Sequence, residues 1–104
     1  MTTLGTTSAP EVYFSSMPNP EIQISKNISI PMNYGQTLYW VSNHAESCKG
    51  SVDAVHFDKD WTGDKAFSGS QNILPTKSGI VNYILQCSNS YGTTQSTITI
   101  NVTQ

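Results

Sequence analysis

The sequence predicts an all-β protein, a two-sheet sandwich of about seven short strands with one disulfide, in a chain of 104 residues. Three observations predict it. Apolar and polar residues alternate with a period of two in several separate runs, the mark of strands with one buried face. Turn signals rich in Gly, Pro and Asn divide those runs roughly every 8–12 residues. No stretch sustains the 3.6-residue period of an amphipathic helix.

Taken in order, residues 1–10 read as a linker or disordered tail of Thr, Ser, Gly, Ala and Pro, and 11–104 as the folded domain. Val12-Tyr13-Phe14 is a short β-type run. Ser16-Met17-Pro18-Asn19-Pro20 breaks it, because neither proline can donate to a ladder, and such a break suits an edge strand that crosses from one sheet to the other. Ile22-Gln23-Ile24 alternates, and Ile28 and Ile30 continue the alternation up to Pro31. After a turn at Asn33–Gln36, Leu38 and Trp40 share one face of a strand and Tyr39 and Val41 the other. Cys48 opens the next short strand. Residues 49–66 read as loop-rich with one short strand. Gln71–Leu74 is a strand that stops at Pro75. In Val81–Ser88, Tyr83, Leu85 and Cys87 face one way. Asn89-Ser90-Tyr91-Gly92 is a hairpin turn. In the last run Ile98, Ile100 and Val102 point inward and threonines outward.

Charged residues make up 12% of the chain, about half the share of an average soluble domain. Ser, Thr, Asn, Gln and Gly take their place, a composition common in extracellular β-modules. Net charge is −2, and the basic residues are five scattered lysines: Lys26, Lys49, Lys59, Lys65 and Lys77. No basic face exists to release counterions from phosphates, which argues against a nucleic-acid partner. No apolar run approaches the ~18 residues that span a bilayer, so no membrane insertion is expected. The first ten residues have neither the basic nor the apolar region of a signal peptide. A disulfide-bearing module with such a start is expected to be a piece of a longer exported chain, with neighbouring domains as its first partners.

Cys48 and Cys87 are the two cysteines. They form neither a C-x-x-C redox motif nor a four-ligand zinc pattern, so a structural disulfide is expected. A disulfide places the protein outside the cytoplasm or on a virion; the alternative is a cytosolic protein with two free thiols. Asp58, Asp60 and Asp64 offer oxygen ligands to Ca²⁺, and His56 sits near Asp58 for acid–base work. No D-x-D-x-D-G loop with a closing Glu is present, and Lys59 would repel the ion, so a solvated acidic loop is expected, with no metal and no cofactor. There is no G-x-S-x-G elbow, and His44 and His56 lie in loop-like segments with no nucleophile placed beside them, so no enzyme is expected. Tyr34, Trp61 and Tyr91, with Tyr13, are candidates for an exposed aromatic platform that stacks on sugar rings. For Trp61 the competing role is that of core anchor, the role expected for Trp40 beside Leu38. Tyr34 and Tyr91 sit in turns and are the better candidates for exposed contacts.

The blocks Leu38-Tyr39-Trp40, Ser47-Cys48, Trp61-Thr62-Gly63, Ser68-Gly69-Ser70-Gln71, Pro75-Thr76, Tyr83-Ile84-Leu85-Gln86-Cys87 and Asn89-Ser90-Tyr91-Gly92 come in an order that resembles bacterial immunoglobulin-like (Ig-like or PKD-like) domains of secreted, cell-surface and phage-associated proteins. The resemblance implies an immunoglobulin-like sandwich serving as spacer, display stalk or adhesion unit, with a surface protein or glycan as a possible further partner. The alternative is a carbohydrate-binding module or accessory domain appended to a secreted hydrolase. Fold alone does not decide between them. One departure matters. Antibody-type domains run Cys, Trp, Cys, with the disulfide between sheets. Here Trp40 precedes both cysteines, and Leu85 stands where the tyrosine of a tyrosine corner would be. Cys48–Cys87 is therefore expected to join neighbouring strands near one end of a single sheet. Asn27-Ile28-Ser29 and Asn101-Val102-Thr103 match the glycosylation sequon, which a bacterial protein is not expected to use.

Overall fold

The computed structural model describes residues 8–22, 26–53 and 61–104, and every regular element in them is a strand. The strands are β1 (Glu11–Ser15), β2 (Asn27–Pro31), β3 (Gln36–Asn43), β4 (Ser47–Val52), β5 (Gly63–Lys65), β6 (Ser68–Ile73), β7 (Gly79–Asn89) and β8 (Gly92–Thr103). They form a three-stranded sheet in the order β1-β3-β6 and a five-stranded sheet in the order β2-β8-β7-β4-β5.

Eight strands are one more than the expected number. The one short strand expected within 49–66 is β5 at Gly63–Lys65, and β4, expected to open at Cys48, runs on to Val52. β4 does alternate, with Cys48 and Gly50 buried and Lys49 exposed. Glycine at the middle inward position removes the side chain that would have made the period visible. The opposite error occurs at Ile22. Its amide donates to the Asn19 carbonyl at 2.9 Å in a turn after Pro20, and its side chain is exposed. Gln23 and Ile24 lie outside the described residues.

The proline-rich break does carry the chain between sheets. β1 is an edge of the smaller sheet, and β2 is an edge of the larger one, paired parallel to β8 from Asn27↔Thr99 to Pro31↔Thr103. The other pairings are antiparallel. Inward faces fall where alternation puts them: Leu38 and Trp40 on β3, Tyr83, Leu85 and Cys87 on β7, and Ile98, Ile100 and Val102 on β8 are all buried.

β7 and β8 form the spine, paired from Gly79↔Val102 to Asn89↔Gly92. Their ends define two poles. The hairpin pole carries the Asn89–Gly92 turn, and the exit pole carries Thr103 and the turn before Gly79. The 12 residues of β8, at about 3.3 Å each, separate the poles by about 36 Å.

Candidate functional site

Trp61 lies at the centre of the interior, fully buried at 0% exposure. It stacks on Phe14 of β1 with ring centroids 5.3 Å apart, and meets Trp40 and Tyr83 edge-on at 5.5 and 6.1 Å. Both sheets thus converge on one indole, in the offset-stacked and T-shaped arrangements that aromatic quadrupoles favour. Its Nε1–H donates to the Ile84 carbonyl at 3.0 Å, and the Lys65 ammonium sits 4.4 Å from its ring centroid. Trp61 is therefore a core anchor, which removes it from the proposed sugar-stacking platform.

Gly50 is the floor of the Trp61 site. A Cβ there would lie 2.5 Å from the Trp61 carbonyl oxygen and 2.9 Å from an indole ring carbon. Gly50→Ala is expected to destabilise the fold by about 3 kcal/mol, the upper end of overpacking costs, because one contact is with backbone that cannot swing away. Urea unfolding of the variant measures this.

Of the three remaining candidate aromatics two are exposed, Tyr34 at 64% and Tyr91 at 59%. They do not come together. Tyr34 is beside Asn33, whose amide donates to the Pro75 carbonyl at 2.7 Å at the exit pole. Tyr91 is in the β7–β8 turn at the hairpin pole. Tyr13 is half-buried on β1. No single sugar ring can bridge Tyr34 and Tyr91. Asp64 is exposed on β5, opposite Lys49 of β4; Asp58 and Asp60, with His56, lie outside the described residues. Among the described residues no three His, Cys, Asp or Glu side chains group together. A shallow hollow of about 240 Å³ on the outer face of β2, β8 and β7 is lined by Asn27, Ile28, Ser29, Ile80, Thr99 and Asn101, none of which titrates.

The Cys48–Cys87 disulfide joins neighbouring strands of one sheet. The two residues are direct register partners in the β4–β7 ladder, with Cα atoms 4.1 Å apart. That is the close spacing of a non-hydrogen-bonded antiparallel pair. The bond lies near the hairpin pole, one residue pair in from Ser47↔Ser88.

Next to it is a residue whose role the sequence conceals. Asn89 uses its whole side-chain amide. Nδ2 donates to the Ser8 carbonyl at 3.0 Å and to the His44 carbonyl at 2.8 Å, while Oδ1 accepts from the amides of Tyr91 at 2.7 Å and Gly92 at 3.2 Å. One side chain thus ties together the entering chain, the β3–β4 turn and the β7–β8 turn. The Thr94 hydroxyl adds a 2.6 Å bond to the Pro10 carbonyl, and Pro10 is buried. Ser8, Ala9 and Pro10, the end of the segment expected as linker, are therefore docked on the fold. Asn89→Ala is expected to cost about 2 kcal/mol, since each exposed bond is worth roughly 0.5–1 kcal/mol net. Amide exchange should accelerate at Tyr91 and Gly92 before it does elsewhere in β7 and β8.

At the other end of the sheet crossing, the Lys26 ammonium donates to Ser96 Oγ and, at 3.3 Å, to the Phe14 carbonyl, and lies 5.7 Å from the Phe14 ring centroid. These partners are uncharged, and burial pushes its pKa below the ordinary lysine range. The unfolded chain holds that proton more tightly, so the charge costs stability at neutral pH. The cost disappears as pH rises through the lowered folded value toward the ordinary one. In thermal melts from neutral to alkaline pH, the native protein is expected to gain stability and Lys26→Met to lose part of that gain.

No family model matches the chain, and no characterised protein sequence is significantly similar to it.

Proposed function

We propose that this chain is a non-catalytic, immunoglobulin-like module of a larger exported bacterial or phage protein, acting as a spacer or display unit between neighbouring domains or against a surface partner. The observation that carries this reading is the path of the chain from pole to pole. Ser8 is held at the hairpin pole by Asn89, and Gln104 leaves beside Thr103 at the exit pole, where its Nε2 donates to Ser78 Oγ at 3.4 Å. A module built so adds its full length to any chain that continues at both ends. The immunoglobulin-like assignment is supported by the division of the first strands between the two sheets, β1 beside β3 and β2 parallel to β8. The disulfide supports an oxidising, extracytoplasmic setting. Among the described residues, no helix is long and apolar enough to cross a membrane. The sugar-binding alternative loses its support with Trp61 buried and Tyr34 and Tyr91 at opposite poles.

The test is small-angle scattering from two copies fused end to end. The reading expects a maximum dimension close to twice that of one copy. A compact pair, folded back on itself, would sink it.

A further inference from the structure

The two sheets end in four edge strands, and three of these are guarded. β1 has Pro10 before it and begins with Glu11, and β2 follows Lys26 and ends with Pro31. β5 is three residues long and carries Asp64 and Lys65. Charge, proline and shortness are the usual protections of a free edge against pairing with another chain. β6, the outer strand of the smaller sheet, has none of them. Its six residues are Ser68-Gly69-Ser70-Gln71-Asn72-Ile73, of which Ser68, Gly69, Ser70 and Asn72 are exposed.

The register shows which backbone groups of β6 are free. The Ser42 amide donates to the Phe67 carbonyl at 2.8 Å, one step beyond Val41↔Ser68. Phe67 therefore turns its peptide groups toward β3, and antiparallel alternation turns those of Gly69, Gln71 and Ile73 the same way. The groups of Ser68, Ser70 and Asn72 point off the sheet. Gln71 Nε2 reaches round to donate to the Asn72 carbonyl at 3.3 Å, in keeping with a carbonyl on the open side. Among the described residues no backbone group bonds there.

We infer that β6 is a docking edge for a second copy of this chain, paired antiparallel about a two-fold axis at Ser70. The free groups lie evenly on either side of Ser70. A half-turn about that residue sets Ser68 opposite Asn72 of the other copy, Ser70 opposite Ser70, and Asn72 opposite Ser68. Each is a hydrogen-bonded pair that exchanges two backbone bonds, so no outward group of these three residues is left over. The same half-turn sets the exposed Phe67 of one copy opposite Ile73 of the other. No side chain of β6 is ionised, so the copies meet without repulsion along the strand. A foreign peptide added to an edge takes its specificity from pockets for alternate side chains, and Ser68, Gly69 and Ser70 are too small to build them. A two-fold interface closes on itself, and the joined sheet then ends in the guarded β1 of each copy. This pairing is lateral, and it is independent of end-to-end spacing.

Sedimentation of the oxidised single copy tests it from about 10 µM to about 1 mM, a range suited to the weak, transient class that so small an interface belongs to. A reversible monomer–dimer equilibrium is expected. Amide exchange at Ser68, Ser70 and Asn72 should slow at least about threefold from the bottom of that range to the top, with no change at Gly69 and Gln71, which already bond to β3. Ser70→Pro removes the amide at the axis and no bond to β3, so it should keep the native circular dichroism and stay monomeric. Side-chain charge gives a second check. Ser68→Lys with Asn72→Lys opposes lysines across the axis and should abolish pairing, and Ser68→Lys with Asn72→Asp opposes lysine to aspartate and should restore it. A native chain still monomeric at about 1 mM would overturn the inference. So would a dimer that survives the double-lysine variant, or one whose exchange protection falls outside β6. Single copies report the pairing, and the fused pair made with Ser70→Pro reports extension alone, so this inference and the spacer reading fail separately.

Discussion

Replacing Trp61 with alanine is expected to cost about 4 kcal/mol, within the range for deleting a buried aromatic and close to half the stability of an ordinary small domain. The effect is large because Trp61 is the contact that both sheets share. Phe14 comes from the three-stranded sheet and Tyr83 from the five-stranded one, and each rests on the indole. Gly50 lies against the indole and has no side chain with which to fill the void. Trp61→Phe separates the contributions. It keeps an aromatic ring but leaves the Ile84 carbonyl without its indole donor, and is expected to lose about 2 kcal/mol. Urea denaturation of the three proteins gives the ranking. An alanine variant as stable as the native chain would mean that the sheets hold together without this anchor.

Removing the disulfide as Cys48→Ala with Cys87→Ala is expected to cost about 3–4 kcal/mol. The bond closes a loop with a sequence separation of 39, worth about 4 kcal/mol in the chain-entropy model before strain and side-chain loss are considered. For a domain of this size that lowers the melting temperature by roughly 15–20 °C. The fold itself should survive, because β4 and β7 remain paired from Ser47↔Ser88 to Val52↔Tyr83 without the sulfurs. The denaturant slope should rise, since the unlinked unfolded chain exposes more surface. Circular dichroism at low temperature, alongside the melt, tests both halves of this expectation.

Much of this architecture was legible in the residues wherever inward and outward positions carry different side chains. Tyr83, Leu85 and Cys87 face the core together, as do Ile98, Ile100 and Val102, and alternation alone predicts both sets. The prolines at 18 and 20 mark the crossing between sheets because they cannot donate to a ladder. The placement of Trp40 ahead of both cysteines pointed to a disulfide within one sheet, where it is found. Legibility ended where a position is defined by backbone or by space. Gly50 is inward and has no side chain to show it. Asn89 bonds only to main-chain groups, so its partners leave no mark in the residue pattern, and a turn asparagine looks like any other. Ile22 continues an alternating pattern but belongs to a turn. Trp61 follows a stretch without clear period, which left surface and core both open until the three ring contacts decided it.

Those contacts carry the functional reading too. Both tryptophans are committed to the interior, Trp40 4% and Trp61 0% exposed, and the exposed tyrosines, Tyr34 and Tyr91, are separated by the length of β8. Neither tryptophan is thus presented to a ligand on the surface. Acrylamide quenching of tryptophan fluorescence, compared between the folded protein and the same protein in concentrated urea, measures this burial. Native emission is expected to be blue-shifted, with little quenching, uniform across both tryptophans, and strong quenching is expected only after unfolding. A native quenching curve in which one tryptophan is as accessible as in urea would contradict it.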